Sequence, residues 1–500
     1  MVDEAEVDLY AVLGVSRQSK DLEIRRAYRN LITTAHPDKG GDAQRFTLIQ
    51  RAYDVLGNDS KRKQYDATGR MEKTVDEEFM DSFGGGAFRD KARQQQVDRE
   101  SMAEQLAVRQ GKDFQSHSAG FEAWMRSRGD SVTTFTAENA AEQFGVVKSS
   151  YEAVPLPSIR AYQARVKSLG KPKESLELVC EPIPQALEWG EVLVSMRAAP
   201  LNPADLYDVQ TGGPHGIEAL KTPFIAGNDG VGTIVKVGPG VKNLQEGDWI
   251  LPFTPHLGTW RSLAVVKEKD TLKIPVDLMP MEYAAMMREL CVAYRLLEDY
   301  GNLRPGDTVI LNAANSTVGQ VVIQLCHLLK LRSVAVVRDL GSMDRVAPWL
   351  KTLGANEVLA DTGSLKKELE KHKYFAKPKL ALDCVGGQSA ARLADTLDDS
   401  APLVIYGCMS GRAPSWPWNQ WVFKQMQVNG FNLRKWMKTN KKKIPDMMEA
   451  IAKLVNADKL RVTHTEYELG TEFDEALDHA MEEGRSTKIL LKVKDIGVTY

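Results

Sequence analysis

Cysteine is scarce and scattered. The five thiols, Cys180, Cys291, Cys326, Cys384 and Cys408, form no Cys-x-x-Cys pair, which argues against a disulfide framework or a cysteine-built zinc site and fits a reducing compartment. Missing too is any apolar run of about 18 residues, so no membrane-spanning helix is expected. Net charge is almost absent: 65 lysines and arginines stand against 67 aspartates and glutamates, a formal −2. A chain that coats nucleic acid carries a basic excess, so that class is disfavoured. Asp3, Glu4, Glu6 and Asp8 precede the first arginine, Arg17. The start thus lacks both the arginine-rich pattern of a transit peptide and the apolar centre of a secretory signal, which makes cytoplasm the default expectation. What is there is globular in composition, with 43% hydrophobic and 26% charged residues, and 500 residues predict about three structural units.

Two helical patterns sit close together near the start. Ile24, Ala27, Tyr28 and Leu31 form one apolar stripe, with Arg25, Arg26 and Arg29 on another face, and Phe46, Ile49, Ala52, Tyr53 and Leu56 repeat the spacing. Between them, His36-Pro37-Asp38-Lys39-Gly40-Gly41 is a turn that no helix crosses, because Pro37 has no N–H. An all-α helical hairpin is expected over 1–70. With Asp8-Leu9-Tyr10, Leu13-Gly14-Val15 and Tyr65-Asp66 in register, this segment resembles the J domain of the DnaJ co-chaperones. The resemblance implies that His36, Pro37 and Asp38, with Arg25, Arg26 and Arg29, dock a heat-shock-70-type chaperone and stimulate its ATPase.

Residues 71–157 read as a linker. Phe83-Gly84-Gly85-Gly86-Ala87-Phe88 is similar to a very short version of the Gly/Phe stretch that follows many J domains, and the polar segment after it has weak helical potential.

From 158 the pattern is β-rich, with runs such as 191–196, 231–238 and 248–253 punctuated by glycines. It then changes to strand–helix–strand: a strand at 307–311, a helix at 318–329 and a strand at 333–337. The turn Asn312-Ala313-Ala314-Asn315-Ser316-Thr317-Val318-Gly319 lies where a dinucleotide fold seats a pyrophosphate, although only Gly319 of the usual three glycines is present. At the end of the second strand stands Arg338, a cation suited to the 2′-phosphate of NADP, followed by Asp339. No cysteine lies between Cys180 and Cys291, and Gly227-Asn228-Asp229-Gly230 has no histidine, so no metal site is expected.

Leu201-Asn202-Pro203-Ala204-Asp205, Gly258-Thr259-Trp260-Arg261, the Asn-rich phosphate turn, Asp383-Cys384-Val385-Gly386-Gly387 and Tyr406-Gly407 together resemble the zinc-free medium-chain dehydrogenase/reductases that act as mitochondrial 2-enoyl thioester reductases of fatty acid synthesis. The implied fold is a GroES-like β domain (158–286), a doubly wound parallel Rossmann sheet binding NADP (287–425) and a return to the first domain (426–500). The implied reaction delivers a hydride from NADPH to the β-carbon of a trans-2-enoyl-CoA or enoyl-ACP. It also implies cofactor contacts at Asn312, Asn315, Ser316, Thr317, Val318, Gly319, Arg338, Tyr406, Gly407 and Lys488, a reacting centre near Asn202 and Trp260, and a homodimer formed through the Rossmann domain.

The chain departs from that pattern where the family carries a tyrosine. Its loop reads Gln210-Thr211-Gly212-Gly213-Pro214-His215-Gly216, leaving His215 or Tyr207 as the candidate donor. Val292 replaces a hydroxyl residue and Thr317 a glycine. Two other readings stay open: a J-domain co-chaperone whose reductase-like part is a degenerate binding module, and a quinone or enone reductase. The resemblance implies a mitochondrial site, against the cytoplasmic default. Trp416, Trp418, Trp421 and Phe423 either line an acyl pocket or, the favoured reading, pack as the cover of the nucleotide domain at its subunit contact; Lys435 to Lys443 either meets the phosphates of coenzyme A or acyl carrier protein or, the favoured reading, forms a solvated helix face.

Overall fold

The computed structural model describes residues 8–35, 43–68, 75–83, 152–213, 220–372, 376–416 and 418–494. It divides into two compact units, Met1–Glu78 and Phe79–Tyr500.

The first unit is helical. Asp8 caps α1 (Leu9–Leu13) by accepting the Tyr10 N–H at 3.0 Å, and Gly14, at φ +66°, ends it in the left-handed conformation. In α2 (Asp21–Thr34) the Glu23 carboxylate reaches back to the Lys20 N–H at 2.9 Å. The expected stripe then does its packing: Ile24 is buried with Leu9, Leu13, Ile49, Ala52 and Leu56, and Tyr28 stacks on Tyr53 of α3 (Ala43–Leu56) at 4.0 Å. From α4 (Asp59–Thr68), Arg62 bonds the Tyr10 hydroxyl, Asp21 and the carbonyls of Arg17 and Ser19, tying four segments together. Arg25, Arg26 and Arg29 are exposed on α2. The turn carrying His36, Pro37 and Asp38 lies outside the described residues, as does most of the 71–157 linker.

The second unit holds two larger sheets. In the barrel-like one, β3 (Glu191–Pro200) is central, after β1 (Arg160–Val166) and β2 (Leu176–Pro182), which form a separate small sheet. Helix α5 (Pro203–Thr211) follows β3. Then come β4 (Val231–Val237), β5 (Trp249–Pro252), β6 (Leu263–Lys267) and β7 (Thr271–Ile274), with β4 and β6 flanking β3. Helix α6 (Met287–Glu298) leads to the parallel sheet.

That sheet contains β8 (Thr308–Leu311), β9 (Arg332–Val337), β10 (Glu357–Ala360), β11 (Leu380–Asp383), β12 (Pro402–Ile405) and β13 (Gln427–Gly430), with α7 (Thr317–Leu328) between β8 and β9. Among the described residues its spatial order is β10-β9-β8-β11-β12-β13, every neighbouring pair parallel. This is the doubly wound order, whose reversal between β8 and β11 opens a crevice at the strand carboxyl ends. β8 and β11 are buried along their whole length, as a strand covered on both faces requires.

One boundary shifts. The nucleotide-binding fold does not end at 425, because β13 completes its sheet and α9 (Ile444–Asn456), after α8 (Leu433–Thr439), packs on α6. The return to the barrel comes with β14 (His464–Glu468) and β15 (Lys488–Lys492), which pairs with β3. The aromatic cluster is also less covered than expected within one chain: Trp416 leans on the core, whereas Trp418 and Phe423 are 68% and 70% exposed.

Candidate active site

The turn before α7 is shaped to receive an anion. Ser316 caps the helix, its hydroxyl accepting the Gly319 N–H at 3.2 Å, while the N–H groups of Thr317 and Val318 have no partner among the described residues. Free amides at the start of a twelve-residue helix are what a pyrophosphate needs. Gly319 permits the tight approach: a Cβ there would stand 2.6 Å from the Ala314 carbonyl oxygen. The two asparagines serve the turn itself. Asn312 is buried, donating to Asp383 at 2.5 Å and Ser389 at 2.9 Å and accepting the Cys384 N–H at 3.0 Å. Asn315 donates to the Arg485 carbonyl at 3.0 Å.

Arg338 is exposed at the end of β9, paired with Glu483. Tyr406 and Gly407 follow β12. Burial holds the Tyr406 hydroxyl well above its ordinary range and lifts the Cys384 thiol to about 12, so both keep their protons.

A polar cluster is built on the barrel side. It begins with Asn202, which caps α5 in a reciprocal pair: its N–H donates to Asp205 at 2.9 Å. Asp205 also accepts the Asn228 N–H at 3.0 Å and amide at 2.9 Å, and that amide reaches Asp208 at 2.8 Å. His256 closes this side, its N–H on Asn228 at 2.8 Å and its Nδ1 3.4 Å from Asp208. The loop can run here only because residue 227 is glycine, at φ +98°, where a Cβ would stand 2.4 Å from the Thr259 hydroxyl.

Asp229 is the hub. It accepts from the Asn202 amide at 2.9 Å, from Arg288 at 2.6 Å and from Arg434 at 3.1 Å. Burial would raise its pKa, but Arg288 and then Arg434 outweigh burial and hold it below the ordinary carboxylate value. For Asp205 burial wins, aided by the charge of Asp229, and its pKa rises to about 7. Lys488 is buried on β15, donating to the Asn202 side-chain oxygen and to Glu289 at 2.7 Å.

Three residues of one segment, Arg485, Ser486 and Lys488, join the two halves. Asn315 bonds the carbonyl of Arg485, and Gln320 of α7 bonds those of Asn315 and Ser486, each at 2.9 Å. Two residues further on, Lys488 reaches Asn202 and Glu289. The turn before α7 and the polar cluster are therefore tied to one another through this segment.

The expected reacting residues divide. Asn202 is in the cluster. Tyr207 is half-buried on α5, and its hydroxyl bonds nothing among the described residues. His215 lies outside the described residues. Trp260 corrects the expectation of a cleft residue: it is 0% exposed, its indole N–H is held by the Pro200 carbonyl at 3.1 Å, and its ring packs on Phe473, so it supports the loop from within the core. Sequence reading missed Asp229, Arg288, Glu289 and Arg434. Asp229 stood inside a quoted motif; for Arg434 no local signal exists, because only the fold brings α8 against the 227–230 loop. Among the described residues no group of three or more metal-ligating side chains is gathered.

Known families and structures match this geometry. The DnaJ domain matches residues 8–66, the alcohol dehydrogenase GroES-like domain residues 188–276, and the zinc-binding dehydrogenase family residues 317–453. The mitochondrial enoyl-acyl-carrier-protein reductase of Xenopus tropicalis is 36% identical over 313 residues, 61% of this chain and 88% of that enzyme. The mitochondrial 2-enoyl thioester reductase heterodimer of Candida tropicalis superposes with a TM-score of 0.58 at 27% identity, over 67% of this chain and 100% of that one. A complex of Etr1p with NADP and crotonyl-CoA gives the same score at 26% identity, with the same coverage of both chains.

Proposed function

We propose that this chain, which belongs to the enoyl-acyl-carrier-protein reductase family and carries a DnaJ domain at its N-terminus, is an NADPH-dependent reductase of trans-2-enoyl thioesters, carried on acyl-CoA or acyl carrier protein and serving fatty acid synthesis. The observation that carries the reading is the 485–488 segment. It bonds the phosphate turn at one end and presents a buried ammonium beside Asn202 at the other.

NADPH, when bound, supplies a hydride for the β-carbon of the thioester. The Thr317 and Val318 amides would hold its pyrophosphate and Arg338 its 2′-phosphate. Arg338 is already paired with Glu483, an exposed partner that a phosphate can displace. Hydride addition leaves negative charge on the thioester oxygen. Lys488 has three N–H groups and spends two on Asn202 and Glu289, so the third is available to that oxygen. Proton delivery to the α-carbon falls to His215 or Tyr207.

The test is NADPH oxidation by the full chain with a short trans-2-enoyl-CoA. Turnover is expected, and Lys488→Met is expected to lower kcat by about a hundredfold, the usual loss of an oxyanion donor. Loss of turnover in His215→Ala assigns proton delivery to that loop. Absence of both turnover and NADPH binding would leave the degenerate binding module as the correct reading.

The J domain is proposed to recruit a heat-shock-70-type chaperone through the exposed arginines of α2 and the 36–38 turn. A homodimer is proposed through the edge of β13 that has no neighbouring strand among the described residues and the exposed Trp418, Trp421 and Phe423. Kinship with mitochondrial enzymes supports the mitochondrion as the compartment.

A further inference from the structure

Helix α8 has two faces with different tasks. Leu433 and Met437 are buried, and Arg434 reaches inward to the Asn228 carbonyl at 2.9 Å and to Asp229 at 3.1 Å, so this face belongs to the candidate site. The outward face and the turn after it carry a run of cations. Lys435 and Lys438 of α8 and Lys441, Lys442 and Lys443 of the following 3-10 turn are all exposed. None of the five is in an ion pair among the described residues. Over residues 435–449 the five lysines meet only two acids, Asp446 and Glu449, and Glu449 lies 3.5 Å from Lys453. Five against two leaves +3 on this segment, in a chain whose formal total is −2.

The fold gains little from that charge. Lys438 suits the last turn of α8, where a cation meets exposed carbonyls. Lys441, Lys442 and Lys443, by contrast, precede the N-terminus of α9, a helix of 13 residues whose dipole favours anions at that end. Lys435 and Lys438 stand three apart on one exposed helix face, where like charges repel. An acidic protein surface complements such a spread of positive charge. From Lys435 to Lys443 it covers roughly 12 Å of helical rise, more than a single phosphate group needs. Reach agrees as well. Lys443 lies roughly 14 Å of rise beyond Arg434, which itself touches Asp229. A phosphopantetheine arm spans a similar length, about 15 Å at extended-chain spacing.

We propose that Lys435, Lys438 and Lys441 to Lys443 are the docking surface for an acidic acyl carrier protein, so that carrier-bound enoyl thioesters are favoured over their coenzyme A counterparts. The lysines hold the carrier's acidic face, and its arm carries the thioester toward the inner face of α8. The inference rests on the reductase reading of that same site and names its partner.

The test compares one trans-2-hexenoyl group on two carriers, a bacterial acyl carrier protein and coenzyme A, with the full chain and NADPH. In the unmodified chain KM should be at least about tenfold lower for the carrier-protein ester, and raising NaCl from about 50 to about 500 mM should remove most of that advantage by screening. The triple variant Lys435→Glu, Lys438→Glu, Lys442→Glu should raise KM for the carrier-protein ester at least about tenfold, leave kcat within about twofold, and change KM for the coenzyme A ester about twofold or less. Arginine at the same three positions should keep the preference, since charge alone is required. Equal KM for the two esters in the unmodified chain overturns the proposal, as does a preference that survives the charge reversal. A larger loss on the coenzyme A ester assigns the lysines to coenzyme A phosphates, and the proposal falls. Binding separates docking from chemistry: anisotropy of a labelled carrier protein bearing its arm but no acyl group should show at least about tenfold weaker binding to the triple variant. That loss without turnover of either ester keeps the docking surface and removes the reductase reading. Turnover of both esters with no binding difference does the reverse.

Discussion

At Asp205 two forces oppose. Three hydrogen bonds from Asn202 and Asn228 favour the ionised carboxylate, while burial and the charge of Asp229 favour the neutral acid and prevail, raising the pKa from 3.8 to about 7. Over that interval the folded chain holds a proton the unfolded chain has released. The resulting stability is therefore complete below 3.8 and is lost as pH rises through about 7. The urea midpoint of the unmodified chain should thus fall relative to that of Asp205→Asn between about pH 5 and about pH 7.5. Parallel midpoints would show that Asp205 does not titrate in this window. Asp205 stood in a quoted motif, but its altered acidity depends on Asp229, 24 positions away in sequence, and on burial that no local pattern reports.

Among the elements, the start of α7 was the most legible. The 312–319 turn with Gly319 was read from the sequence as a phosphate seat ahead of a helix at 318–329, and the helix found spans Thr317–Leu328. Gly319→Val should abolish that capacity, because its Cβ meets the Ala314 carbonyl at 2.6 Å. The expected outcome is at least about a tenfold loss of NADPH affinity and about 1–3 kcal/mol of stability, the range for overpacking, read by fluorescence titration and denaturant unfolding. Gly227→Ala strikes the opposite wall: strained at φ +98° and 2.4 Å from the Thr259 hydroxyl, it should lower stability by about 1–3 kcal/mol. An unchanged melting temperature would mean that the 227–230 loop relaxes freely. The role of Asn315 was less legible. Its side chain looked available to a ligand, yet it holds the Arg485 carbonyl, a contact spanning 170 positions.

For the whole molecule the predictions concern separable activities. His36→Gln should remove stimulation of a heat-shock-70-type ATPase and leave NADPH-dependent turnover unchanged, measured on one preparation; a joint loss would show that the two functions are coupled. Arg62→Ala should destabilise the J domain by about 1–3 kcal/mol, since it strands the partners of a largely buried cation, and thermal unfolding followed by the J-domain amides would read it. The sequence by itself determined the order of units, the helical hairpin, the β-rich and then strand–helix–strand rhythm, and the place of the turn before α7. All of these follow from local periodicity, caps and glycines, which act over a few residues. Only the tertiary structure decided that the nucleotide fold runs past 425, that Trp260 is core, and that Asp229 is shared by two arginines. Those outcomes depend on strand order and on burial, which bring Arg288 of α6, Arg434 of α8 and Lys488 of β15 to Asp229 from 59 to 259 positions away, and a charge's surroundings across such distances leave no mark on the residues beside it.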